Sequence, residues 1–140
     1  MDFPYPPQVI PKNITSIYTI YGIKNCEYCT KIKEFFKKFV KKTKKIIIKY
    51  YDVDDLIEKK IIKNFLEFYE KMEPFIKNYK TFPIIFINDE FIGGYSDFIM
   101  IFEEFKKNKK ISPNIVNNLK KNNKDKEIDI LIQKIFKKLI

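Results

Sequence analysis

The chain has 140 residues, two Cys, no His and no Trp; it is 45% hydrophobic and 33% charged, enough apolar content for one packed domain and an appendage. Without His there is no Ser-His or Cys-His catalysis and no His metal ligand, and two thiols are too few for a disulfide-stapled secreted scaffold or a four-Cys zinc or iron–sulfur site in one chain. The net charge of +10 comes from 28 Lys and no Arg against 18 acids, and it is spread along the chain, so specific nucleic-acid recognition is not expected, only weak adhesion to polyanions.

Residues 1–13 hold Pro4, Pro6, Pro7 and Pro11 with no apolar period, which predicts an extended arm. This segment has no basic stretch followed by an apolar run, and no window approaches the ~20 apolar residues of a membrane span. The expectation is a soluble protein of a reducing compartment, the cytoplasm. Residues 16–21 (Ser-Ile-Tyr-Thr-Ile-Tyr) are β-branched and aromatic and predict a strand ended by Gly22. After Asn25, the helical spacing of Ile32, Phe35, Phe36, Phe39 and Val40 predicts the first helix. Residues 46–51 predict a second buried strand. A long helix follows, capped by Asp54 or Asp55, with a stripe of Ile57, Ile61, Phe65, Phe68 and Met72; Pro74 is expected to end or kink it.

Residues 83–93 read as a hairpin turning at Asn88-Asp89, residues that tolerate left-handed backbone. Ser96 or Asp97 is expected to cap a helix carrying Phe98, Ile101, Phe102 and Phe105. The order β-α-β-α-β-β-α implies an α/β fold with a small mixed sheet flanked by helices. Beyond residue 110, a polar stretch from Ile111 to Lys126 reads as a loop or weak helix. Residues 128–140 predict an amphipathic helix with Ile128, Leu131, Ile132, Ile135 and Leu139 on one face. This extra C-terminal helix is expected to pack on the domain; docking a partner is the alternative, and membrane-surface binding is disfavoured by Asp125, Glu127 and Asp129.

Both thiols lie in one motif, Cys26-Glu27-Tyr28-Cys29, between the first strand and first helix. A thiolate at a helix N-terminus meets free N–H groups and the positive end of the dipole, so its pKa falls, and Lys24 adds a nearby charge. The reading is a redox pair: Cys26 as nucleophile, Cys29 as resolving thiol. Competing readings fare worse. A zinc site lacks two further ligands, haem attachment requires His where Thr30 stands, and inert core cysteines rarely take this spacing at a strand-to-helix turn.

This motif, followed by Thr81-Phe82-Pro83 opening a strand and by Gly93-Gly94-Tyr95-Ser96-Asp97 after a hairpin, resembles the glutaredoxin family over roughly residues 14–108. The resemblance implies a thioredoxin-like fold with a four-stranded sheet, an arm (1–13), a domain (14–110) and a linker with terminal helix (111–140). It implies a glutathione-dependent thiol–disulfide oxidoreductase acting on glutathionylated or disulfide-containing proteins. Glutathione would be the co-substrate, held by Lys24, Tyr28, Thr81, Phe82, Pro83, Gly94, Ser96 and Asp97, with Lys80 a second cation for its glycine carboxylate. A cis bond before Pro83 would bring the 81–83 turn beside Cys26. The Phe82 backbone would pair with the tripeptide, and the start of the last helix would receive its γ-glutamyl end.

The chain departs from the family pattern. Glu27 replaces the usual Pro, and its carboxylate opposes thiolate formation at Cys26; in the family this loss accompanies tolerance of a [2Fe–2S] cluster bridged by the first Cys and glutathione in a dimer. Such a cluster carrier is the alternative function, disfavoured by the retained Cys29. Ile23 stands where a basic residue is usual, so Lys24 must substitute, and Phe82 replaces Val.

Overall fold

A computed structural model describes residues 2–40 and 44–122, together with Ile130, Gln133 and Phe136. Strand β1 (Ser16–Gly22) is joined through helix α1 (Glu27–Val40) to a parallel neighbour, β2 (Ile46–Asp52). Strands β3 (Ile84–Ile87) and β4 (Glu90–Gly93) form the expected hairpin, and β3 runs antiparallel to β1, giving the order β2-β1-β3-β4. Asn88 takes φ 56° at the hairpin turn. Its Oδ1 accepts the Ile17 N–H at 3.0 Å, and its own N–H donates to the Ile17 carbonyl at 2.8 Å. The turn is thereby tied to the neighbouring strand.

Alternation along the strands splits the apolar side chains between two cores. Tyr18, Ile20, Ile85, Ile87 and Ile92 face one side, where α1 and α4 (Tyr95–Asn108) cover them with Ile32, Phe36, Phe98, Ile101, Phe102 and Phe105. Tyr21, Ile84, Phe86 and Phe91 face the other side. There the cover is α2 (Val53–Glu58) and α3 (Phe65–Ile76), through Val53, Leu56, Phe68, Met72 and Ile76. The arm completes this second face: Phe3 is buried, its ring 6.0 Å from Phe68, and the Tyr21 hydroxyl donates to the Pro4 carbonyl at 2.5 Å.

The predicted long helix is two. Lys60 takes φ 60°, the N–H groups of Ile61 and Ile62 turn back to the Leu56 carbonyl, and Asn64 restarts the chain by accepting the Glu67 N–H at 2.9 Å. The whole stripe Ile57, Ile61, Phe65, Phe68, Met72 still reaches one core, because two short helices on one face satisfy the same spacing. Asp52, not Asp54 or Asp55, holds the N-cap position of α2. Pro74 lies inside α3, which stops two residues later.

Helix α4 likewise begins two or three residues earlier than expected. Gly94 is its N-cap, and the Asp97 carboxylate accepts the Gly94 N–H at 2.9 Å; Ser96 and Asp97 lie within the first turn. The polar stretch after residue 110 contains α5 (Pro113–Asn122), which buries Ile115 and Leu119. The predicted face of the terminal helix (Ile128, Leu131, Ile132, Ile135, Leu139) lies outside the described residues. Ile130, Gln133 and Phe136 are helical, and Phe136 is buried with its ring 5.6 Å from Phe98 and 6.0 Å from Phe102 and Phe105.

Candidate redox site

Gly22 ends β1 at the carboxyl end of the parallel strands, and Asn25, at φ 57°, turns the chain into α1. Cys26 therefore sits immediately before the first helical residue, Glu27, and Cys29 lies in the first turn. The two sulfurs form a disulfide with Cα atoms 5.2 Å apart. Cys26 is half-buried and Cys29 is 2% exposed, so only the first offers a sulfur to an incoming group. The Cys29 N–H donates to the Cys26 sulfur at 3.1 Å. That bond is the local form of the helix N-terminus effect: a free amide of the first turn points at the atom that bears charge when the pair is reduced.

The Phe82–Pro83 peptide is cis, and the Cys26 sulfur stands 3.9 Å from the Phe82 carbonyl oxygen. The turn expected beside Cys26 is thus beside it. Pro83 is buried and Thr81 exposed. The Phe82 side chain packs inward, 6.3 Å from the Phe65 and Tyr69 rings and 5.9 Å from Phe68, so α3 braces this wall. Across the site Tyr28, 51% exposed, stacks on Tyr95 with centroids 5.2 Å apart. This pair links the start of α1 to the start of α4, where Ser96 is exposed and Asp97 half-buried. Gly93 takes φ 127°, which side-chain-bearing residues rarely adopt, and Gly94 is buried. Tyr79, half-buried near Asp97, has its phenol pKa raised by burial, offset by a hydrogen bond with Thr81 and reinforced by the Asp97 charge.

The cations are differently placed. Lys24 pairs through Nζ with Asp55 at 3.4 Å and Glu58 at 3.8 Å, while its N–H donates to Asp54 Oδ2 at 2.9 Å. The hydrogen bond to Asp55, then the charges of Asp55 and Glu58, raise its pKa. Lys80 Nζ lies 5.9 Å from the Tyr69 ring centroid. Glu27, expected to oppose a Cys26 thiolate, pairs with Lys31 at 3.3 Å on the exposed side of α1, where the cation and solvent screen it. Among the described residues no three His, Cys, Asp or Glu side chains cluster as a metal group would need, and no helix is long and apolar enough to cross a membrane.

Two features escaped the sequence reading. Tyr95 is the stacking partner of Tyr28, a pairing set by tertiary contact although both lie in quoted motifs. Tyr50 of β2 comes up against Gly22 near Cys29, which only the strand register reveals.

The family model described as Glutaredoxin matches residues 17–92. Among solved structures the chain is similar to reduced Escherichia coli glutaredoxin (27% identity, covering 66% of this chain and 95% of that one, TM-score 0.47). It is also similar to a dithiolic glutaredoxin of Trypanosoma brucei brucei (27% identity, 64% and 76%, TM-score 0.42). No curated protein matches it.

Proposed function

The chain belongs to the glutaredoxin family, and on that premise we propose that it is a glutathione-dependent thiol–disulfide oxidoreductase working through Cys26, with Cys29 as the resolving thiol. Its fold is thioredoxin-like, a mixed four-stranded sheet between helices. The observation that carries the reading is the setting of the Cys26 sulfur, which receives the Cys29 N–H at the start of α1 and faces the Phe82 carbonyl.

In this reading the Cys26 thiolate attacks the glutathione sulfur of a protein–glutathione mixed disulfide. The protein thiolate leaves and takes a proton from solvent, and glutathione remains bonded to Cys26. Its backbone would lie along Phe82 and Thr81 beside Pro83. The Tyr28 ring would cover it, and the γ-glutamyl end would reach Gly94, Ser96 and Asp97 at the head of α4. Lys24 would take the glycine carboxylate. A second glutathione thiolate then resolves the mixed disulfide; in the two-thiol route Cys29 does so, leaving the Cys26–Cys29 disulfide for glutathione to reduce. The compartment in which this cycle closes is a reducing one, such as the cytoplasm.

The test is glutathione-dependent reduction of a glutathionylated peptide by wild type, Cys26→Ser and Cys29→Ser. Activity lost with the first change and retained with the second is expected. A colourless wild type that fails to turn over overturns the reading. A brown wild type with visible absorption after anaerobic purification supports instead the [2Fe–2S] carrier, in which reduced Cys26 supplies the thiolate ligand.

A further inference from the structure

Helix α5 packs against the β4 edge of the sheet through the buried Ile115 and Leu119, and it lies beyond residues 17–92, the stretch matched by the family model. Between α5, β4 and α4 there is a cavity of about 270 Å³. Tyr79, Gly93, Asp97 and Met100 line it from the domain, and Asn118 and Lys121 line it from α5. The cavity adjoins the redox groove at the head of α4. The Tyr79 hydroxyl fills the space that a Cβ on Gly94 would take, and that Cβ would lie 3.4 Å from the Pro83 carbonyl oxygen. Tyr79 therefore stands where the two spaces meet.

Two opposite charges flank this cavity. Asp97 is half-buried and accepts the Gly94 N–H at 2.9 Å through Oδ2. Lys121, in the last turn of α5, is exposed, and its backbone is tied to the end of α3 because the Lys77 ammonium donates to its carbonyl at 3.3 Å. Among the described residues Asp97 and Lys121 form no ion pair, with each other or with any other group. An acid and a cation that face one space without meeting suit a ligand bearing both charges. The remaining walls are largely apolar, which lowers the local dielectric and strengthens either contact relative to open water.

We propose that Lys121 supplies the cation for the α-carboxylate of the glutamyl head of glutathione, opposite Asp97 at its ammonium, so that α5 selects thiols carrying that head. This deepens the glutathione reading above and rests on it. Thiols that lack the glutamyl residue leave both charges unanswered and gain nothing from α5.

The test is an exchange equilibrium on Cys29→Ser protein, which needs no turnover. The protein is equilibrated with a fixed mixture of glutathione, cysteinylglycine and their disulfides, then quenched in acid and weighed by mass spectrometry. Cysteinylglycine is glutathione without its glutamyl residue. In the exchange one thiolate displaces the other from the Cys26 sulfur; one disulfide bond forms as another breaks, with no net oxidation. The ratio of the two adducts reads recognition of the head, and the intrinsic difference between the thiols cancels between variants. Lys121→Met is expected to lower the glutathione-to-cysteinylglycine ratio about three- to tenfold, between the worth of an exposed ion pair and that of an enclosed charged hydrogen bond. Lys121→Arg should stay within about twofold of the unsubstituted ratio. Lys120→Met removes the same charge one residue away, from an exposed side chain that does not line the cavity, and should also stay within about twofold. An unchanged ratio in Lys121→Met would show that this lysine serves only the helix end. An equal fall in both Met variants would show long-range charge alone; either overturns the proposal. A ratio in the parent protein equal to that on a short unfolded Cys peptide would overturn the glutathione reading itself.

Discussion

The Lys24 ammonium is held 3.4 Å from the Asp55 carboxylate, across the gap between the redox motif and α2. A cation assigned to the glycine carboxylate of glutathione is therefore already engaged by the protein's own acids. Replacing both partners, Asp55→Asn with Glu58→Gln, should lower KM for glutathione by about two- to fivefold, the scale of an exposed ion pair. An unchanged KM would remove Lys24 from the glutathione site. The pair also has a definite pH signature. It raises the Lys24 pKa above the ordinary 10.5, so its stabilising contribution is full below pH 10.5 and fades as pH climbs through the folded-state value. Wild type and double variant should approach one melting temperature in that alkaline window.

Tyr28 leans on Tyr95 while half its surface stays open beside Cys26. Tyr28→Ala should raise KM for a glutathionylated peptide by about two- to tenfold, the worth of an aromatic contact, with little change in melting temperature. A loss of stability without any change in KM would mean that the ring serves packing alone.

Glu27 is the first residue of α1, a position where proline's fixed φ and missing N–H cost nothing. Glu27→Pro should fold, release Lys31, and remove a negative charge next to the nucleophile. In a Cys29→Ser background, alkylation of Cys26 by iodoacetamide at mildly acidic pH should accelerate by about two- to fivefold, the scale of a charge near a helix terminus. An unchanged rate would mean that the Lys31 pairing already cancels the carboxylate.

Phe136 fills the space between Phe98, Phe102 and Phe105 and is fully buried. Phe136→Ala should cost about 3–5 kcal/mol in denaturant unfolding, and deletion of residues 123–140 should lower the melting temperature clearly. An undiminished melting temperature after the deletion would return the terminal segment to a partner-docking role.

Where sequence signals were local, they read through to the structure. Strand β1, the turn into α1 and the Asn88 hairpin are each specified by neighbours in the chain: alternation, a thiol motif at a strand-to-helix turn, and a residue suited to left-handed backbone. The break between α2 and α3 was illegible because Ile57, Ile61 and Phe65 keep helical spacing straight through it, and Ile62 is buried in the turn. The capping roles were misread at both Asp52 and Gly94 for a related reason. Several acidic or polar residues stood within one turn of each other, and only the backbone path decides at which residue the helix begins. Tyr50 is brought near Gly22 and Cys29 by a pairing of strands thirty positions apart, Gly22 with Asp52, which no local pattern encodes.

Phe3 and Phe136, near the two ends of the described chain, sit in different cores on opposite faces of one sheet and, among the described residues, share no neighbouring ring. Residues so separated do not sense each other's cavities, so the costs of truncating them should sum to within about 0.5 kcal/mol in a double-mutant cycle. Evolution can therefore lengthen, repack or discard either appendage without renegotiating the other, and the redox motif at the strand ends inherits a scaffold with two independently adjustable supports.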